Sequence, residues 1–127
     1  GNGGESDEPY YPAAYEGVLA VGSHDKNLKV SSFTQNGAHI LAPGEDIWLA
    51  SRNGKTYGAR GTSYATGYVS AAAAALWLQN PELDAKSVAN VLLSSAKRAE
   101  GLLILDMEGA LSTLKTENTP ARDLAVK

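Results

Sequence analysis

The stretch between Arg60 and Glu82 constrains this chain more than any other, because it contains no charged residue. Within it, Ser63 to Gln79 carries the run Ala71 to Ala75 and then Leu76-Trp77-Leu78. Alanine is the best helix former, so this segment reads as a helix. A helix apolar on nearly every side is normally buried in a core. A membrane span would need about 20 mostly apolar residues. This helix is shorter and carries Ser63, Thr66, Ser70 and Gln79, so it must find its cover within protein.

Short apolar runs supply that cover. Val18 to Val21 lies between Gly17 and Gly22 and reads as a strand buried on both faces, as in a parallel sheet. Lys29 to Phe33 reads as a second strand, and His39 to Ala42 as a third, ended by Pro43-Gly44. Ile47 to Ala50 and Thr56 to Ala59 flank Asn53-Gly54, a hairpin signal, and are expected to pair. Pro81 ends the long helix. Asp84 is a good N-cap for a second helix from Ala85 to about Ala96, with Val88, Val91 and Leu92 on one face. Leu102 to Leu105 reads as a short strand, and Asp106 caps a last helix through Leu114. Residues 115–127 read as a tail or linker, which leaves 1–114 as one α/β unit.

The charge balance excludes some functions. Eleven basic against 14 acidic residues give −3, which argues against a nucleic-acid partner. With no cysteine there is neither a disulfide framework nor a thiolate metal site. The opening Gly1-Asn2-Gly3-Gly4-Glu5-Ser6-Asp7-Glu8 has no basic region or apolar core, so it does not read as a signal peptide. It starts without Met inside a glycine-rich loop, as a processed fragment would.

Chemistry is suggested where that loop-to-helix transition falls, at Gly61-Thr62-Ser63. A serine hydroxyl needs a base to become a nucleophile, and it needs exposure and a fixed orientation. A position at a helix start supplies orientation, and the unpaired N–H groups of the first turn face the reaction centre. Those groups can stabilise an oxyanion on an attacked carbonyl. Taken alone, however, Gly-Thr-Ser before an apolar run reads more readily as a helix cap than as a nucleophile.

The surrounding segments resemble the subtilisin-like (S8) serine peptidase family. The family's Gly-Thr-Ser-x-Ala opening of an Ala-rich helix corresponds to Gly61-Thr62-Ser63-Tyr64-Ala65. Its Gly-Asn loop is similar to Gly1-Asn2, its Tyr-Pro-Ala-x-Tyr stretch to Tyr11-Pro12-Ala13-Ala14-Tyr15, and its Val-Gly strand end to Val21-Gly22. Ser32-Phe33 through Gly37 and Ala42-Pro43-Gly44 through Ile47 follow in the family's order, as do Pro81 to Leu93 and Gly101 to Leu111. The resemblance covers roughly residues 1–114 and implies the C-terminal half of a three-layer α/β fold with a parallel sheet.

It also implies roles. Ser63 would be the nucleophile, with its N–H and the Asn2 side-chain amide forming the oxyanion hole. Gly1, Gly3 and Thr62 would bind substrate. The family's Asp and His precede the Asn in chain order, so a preceding segment would be the partner that supplies both. His24 and His39 fall away from the nucleophile and are expected in surface or structural roles. Hydrolysis of protein or peptide substrate would then need both halves; a subtilisin-like module that no longer cleaves is the alternative. No membrane or nucleic-acid partner is implied, and the family suggests secretion or the cell envelope. No cofactor is required and no metal ligand is assigned. The resemblance allows a structural calcium on the carbonyls matching a family cation site, those of Ala13, Tyr15 and Val18, but His39 stands where a carboxylate usually assists, which speaks against it.

Several positions depart from the pattern. Tyr64 replaces the usual Met after the serine, and Gly67-Tyr68 replaces Pro-His. Close approach of another element is expected to offset the helix cost of Gly67. Glu5, Asp7 and Glu8 suit a basic side chain before the scissile bond, whereas an inward Tyr10 would favour a small one; a solvated acidic loop needs neither. The pocket's preference therefore stays open. Without the preceding strands the sheet edge would be bare, so this chain alone is expected to be unstable or oligomeric.

Overall fold

The computed structural model describes residues 1–99 and 101–117. In chain order its elements are β1 (Val21–His24), β2 (Ile40–Pro43), β3 (Ile47–Ala50), β4 (Thr56–Ala59), α1 (Thr62–Gln79), α2 (Ala85–Ser95), β5 (Lys97–Ala99), β6 (Leu102–Ile104) and α3 (Met107–Glu117). The arrangement is α/β. One four-stranded sheet runs β1-β2-β6-β5, and β3 with β4 forms a separate antiparallel hairpin. β1, β2 and β6 are parallel neighbours, while β5 returns antiparallel along β6.

α1 packs on β1 and β2, and α2 and α3 pack on α1 and on each other. The helix face that meets the sheet is Ala65, Val69, Ala72 and Leu76, all buried. Ile40 and Ala42 of β2, Val88 and Leu92 of α2, and Ala110 and Leu114 of α3 complete the core. The small alanine side chains bring α1 close to the sheet. The opposite face of α1 is another matter: Tyr68, Ala71, Ala74 and Leu78 are exposed. The chargeless helix is thus only half covered within the described residues.

The structure moves some expected strands. β1 starts at Val21 rather than Val18, because the Ala20 N–H donates to His39 Nδ1 at 2.9 Å and not to a ladder carbonyl. Lys29 to Phe33 forms no strand; it contributes one antiparallel bridge, Val30 to His24. Beyond that bridge, side chains take over the ladder. Thr34 Oγ1 accepts from Ser23 N at 2.9 Å and donates to Ser23 O at 3.0 Å. Ser31 N also donates to Ser23 O, at 2.9 Å. Short hydroxyl side chains compete with backbone pairing in this way, and here they cap the outer edge of β1 at its C-terminal end. β5 was not expected from its basic Lys97-Arg98, but as an edge strand it leaves both exposed. α3 continues to Glu117, past the expected end at Leu114; the rest of the expected tail, 118–127, lies outside the described residues.

Candidate functional site

Ser63 is the second residue of α1 and is exposed. The turn before it depends on Gly61, whose φ of 152° is a backbone region that side chains rarely adopt. Gly61 N donates to the Gly44 carbonyl at 2.8 Å, and Gly61 O accepts from Tyr64 N at 3.1 Å. The start of α1 is thereby tied to the loop after β2. Gly61, at the N-cap, has no side chain with which to cap the helix, and the first turn carries no acidic residue. Among the described residues the Ser63 N–H has no partner, so it remains free to donate at the helix's positive end.

Asn2 is brought to the same place from 60 residues away. Its Oδ1 accepts from Thr62 N at 2.9 Å and from Thr62 Oγ1 at 2.9 Å. Two donors on Oδ1 fix the amide orientation, so Nδ2 faces the other way as an unspent donor. That nitrogen is 3.7 Å from the point where a Gly61 side chain would begin. Thr62 is buried and spends both polar donors on Asn2. Its part in orienting Asn2 was not visible in the sequence, where it is one member of the Gly-Thr-Ser run.

A pocket of ≈ 320 Å³ joins Ser63 and Thr62 to Asn2, Gly1, Tyr10 and Tyr11. Gly3 lies exposed on the far side of Asn2. The Tyr10 ring rests over Gly1, 3.0 Å from where a Gly1 side chain would begin. The acidic loop is partly engaged, since Asn36 Nδ2 donates to Asp7 Oδ1 at 2.8 Å. An apolar groove of ≈ 400 Å³ opens on the other side of Ser63, between Tyr64, Gly67, Tyr68 and Ala71 of α1 and Ile47 and Leu49 of β3. The close neighbour expected at Gly67 is not found among the described residues: a side chain there would meet nothing within 4 Å.

Neither histidine is bonded to Ser63. His24 is buried, and its Nδ1 is 2.7 Å from the Asp25 carbonyl. The His39 ring accepts from Ala20 N–H. Both hold backbone, and among the described residues no base hydrogen-bonds the Ser63 hydroxyl. Of the carbonyls of Ala13, Tyr15 and Val18, that of Tyr15 accepts from Val18 N at 3.2 Å, and the His39 side chain, where a carboxylate would assist, has no oxygen and is bonded to Ala20 N–H.

The profile of the subtilase family matches residues 1–118. Subtilisin DY of Bacillus licheniformis is 36% identical over 98 residues, which are 76% of this chain and 36% of that protein. The cell wall-associated protease of Bacillus subtilis (strain 168) is 38% identical over 98 residues, 76% of this chain and 11% of that protein. The structure of the self-cleaved protease domain of PatA superposes with a TM-score of 0.72 at 39% identity, covering 84% of this chain and 44% of that one. The chain therefore spans only about a third, or less, of the length of these two curated relatives.

Proposed function

The chain belongs to the subtilase family, and on that premise we propose that it carries the nucleophile half of a serine endopeptidase. The observation that supports this most directly is the Asn2 amide, held at Oδ1 by Thr62 with Nδ2 left to donate beside an exposed Ser63. In this reading the Ser63 N–H and Asn2 Nδ2, from two residues that line one pocket, both donate to the carbonyl oxygen as it becomes negative. Gly1 lines the same pocket, and it and the exposed Gly3 on the other side of Asn2 in the chain are assigned to substrate backbone. Thr62 lines the same pocket and serves through Asn2.

In this reading a preceding segment supplies the Asp and His. The His removes the Ser63 hydroxyl proton as Oγ bonds to the carbonyl carbon. It returns that proton to the departing amine as the peptide C–N bond breaks. Water then reverses the sequence on the acyl-enzyme and frees Ser63. The apolar groove beside Ser63 offers the proposed preceding segment a surface to pack on. It also gives the exposed face of α1 its cover, as a helix without charge requires. Secretion or attachment at the cell envelope fits such an enzyme, and no helix among the described residues is long and apolar enough to cross a membrane.

The test is covalent labelling with a fluorophosphonate, followed by peptide mapping, with and without the preceding segment. Ser63 is expected to react only when that segment is present. Absence of labelling in both cases would favour the non-cleaving module, which Tyr64 and Gly67 at the groove would then help to explain.

A further inference from the structure

Gln35 carries no mark of chemistry in the sequence, yet it is only 6% exposed. Its backbone N–H donates to the Gly1 carbonyl at 3.1 Å, and the Phe33 carbonyl accepts from Gly4 N–H at 3.0 Å. These two bonds straddle Asn2. The side chain continues beneath the same loop. Its Nε2 donates to the Glu8 carbonyl at 2.6 Å, which decides how the amide faces. Oε1 is thereby turned against the backbone on either side of Asn2. A side chain on Gly1 would collide with Oε1, and one on Gly3 would begin 2.9 Å from it. Oε1 is itself buried without a hydrogen-bond partner among the described residues. A buried acceptor left without a donor is uncommon in folded proteins and calls for a reason.

We propose that Gln35 is a positioning residue for the oxyanion donor, the support over which the Gly1–Gly4 loop is shaped. Thr62 holds the Asn2 side chain by its oxygen, and Phe33 and Gln35 hold the main chain from which that side chain hangs. Asn2 is therefore constrained from two directions, one 60 residues away and one some 33 residues away. The unpartnered oxygen fits tightly because its neighbours are glycines. Any added carbon must move either Gln35 or the loop. The inference rests on the roles given above to Asn2 and Ser63.

The experiment uses the protein containing this chain together with its preceding half. Gln35→Met keeps a similar length but removes both polar atoms. It is expected to lower kcat about tenfold, a fraction of the ~10²-fold that a 1 Å misplacement can cost, with KM changed by less than about twofold. In an Asn2→Ala background the same substitution should change kcat by less than about twofold, because no donor is left to misplace. Gln35→Ala is a second variant that does not depend on the Met variant folding. It removes the support beneath the loop altogether, and it should lower kcat with KM changed by less than about twofold and lose that effect in the Asn2→Ala background. Equal losses with and without Asn2, or a higher KM at unchanged kcat, would overturn the proposal. Ser63→Ala separates the two readings. Hydrolysis that survives it removes the site assignment and the role of Gln35 together. Hydrolysis lost there but unaffected by Gln35→Met removes only the role of Gln35.

Discussion

Gly44→Ala tests whether the loop after β2 sets the position of Ser63. The added Cβ would collide with Ser23 Oγ and would lie 2.8 Å from the Gly61 carbonyl and 2.8 Å from Ser23 Cβ. Ordinary contact starts near 3.4 Å, so Gly61 must give by 3.4 minus 2.8, or about 0.6 Å. Gly61 cannot move alone, because its N–H is bonded to Gly44 and its carbonyl to Tyr64 N–H. Overpacking of this kind costs roughly 1–3 kcal/mol. Ser23 Oγ is also 2.7 Å from Ser31 Oγ in the buried interior, and losing that bond adds about 0.5–1.5 kcal/mol. A total of about 1.5–4.5 kcal/mol is expected in urea unfolding. A 0.6 Å displacement of the α1 start should also slow phosphonylation of Ser63 by about ten- to a hundredfold, given ~10² for 1 Å. Gly58→Ala in β4 is the control, since its added carbon meets nothing within 4 Å. A Gly44→Ala protein within about 0.5 kcal/mol of the parent, labelling at the parent rate, would refute the reasoning.

Other perturbations separate core, site and charge. Leu76→Ala, at a fully buried position on α1, should cost about 2.7–5 kcal/mol. Leu78→Ala, 85% exposed on the same helix, should cost less than about 0.5 kcal/mol in the same denaturation series. Thr62→Val removes one of the two donors on Asn2 Oδ1; a net bond of about 0.5–1.5 kcal/mol predicts a loss of roughly two- to tenfold in kcat, read from steady-state hydrolysis. Backbone N–H bonds hold three carboxylates below their usual pKa: Asp25 through Lys29, Asp84 through Ser87, and Asp106 through Gly109 with help from Lys97. Their folded pKa values lie below the unfolded ones, so their stabilisation is complete above about pH 4 and is lost as pH falls through the folded values. Unfolding free energy should drop on acidification below that point, and Asp106→Asn should flatten the drop. Stability that rises in acid would contradict the assignment.

Much of this protein could be read from short-range signals. The absence of charge and the alanine run located α1, Asn53-Gly54 located the hairpin, and Asp84 located the start of α2, where its side chain accepts from Ser87 N–H. These features depend on residues within one or two turns of one another, so neighbours in sequence suffice to predict them. The proposed roles of Ser63 and Asn2 were suggested only by the order of motifs around them. The strand expected at Lys29 to Phe33 failed because a threonine hydroxyl took the place of its backbone, which no periodicity reveals.

The tertiary structure decided what distant segments do to one another. It brought Asn2 to Thr62, turned the amide so that Nδ2 has no partner among the described residues, and put Gln35 under the two glycines beside it. It also left one face of a chargeless helix exposed next to Ser63. Propensity and pattern act along the chain, whereas a donor's direction depends on which oxygen the folded chain delivers to it. The sequence alone therefore determined where the loop-to-helix turn at Ser63 falls, and the fold alone determined which distant groups are brought beside it.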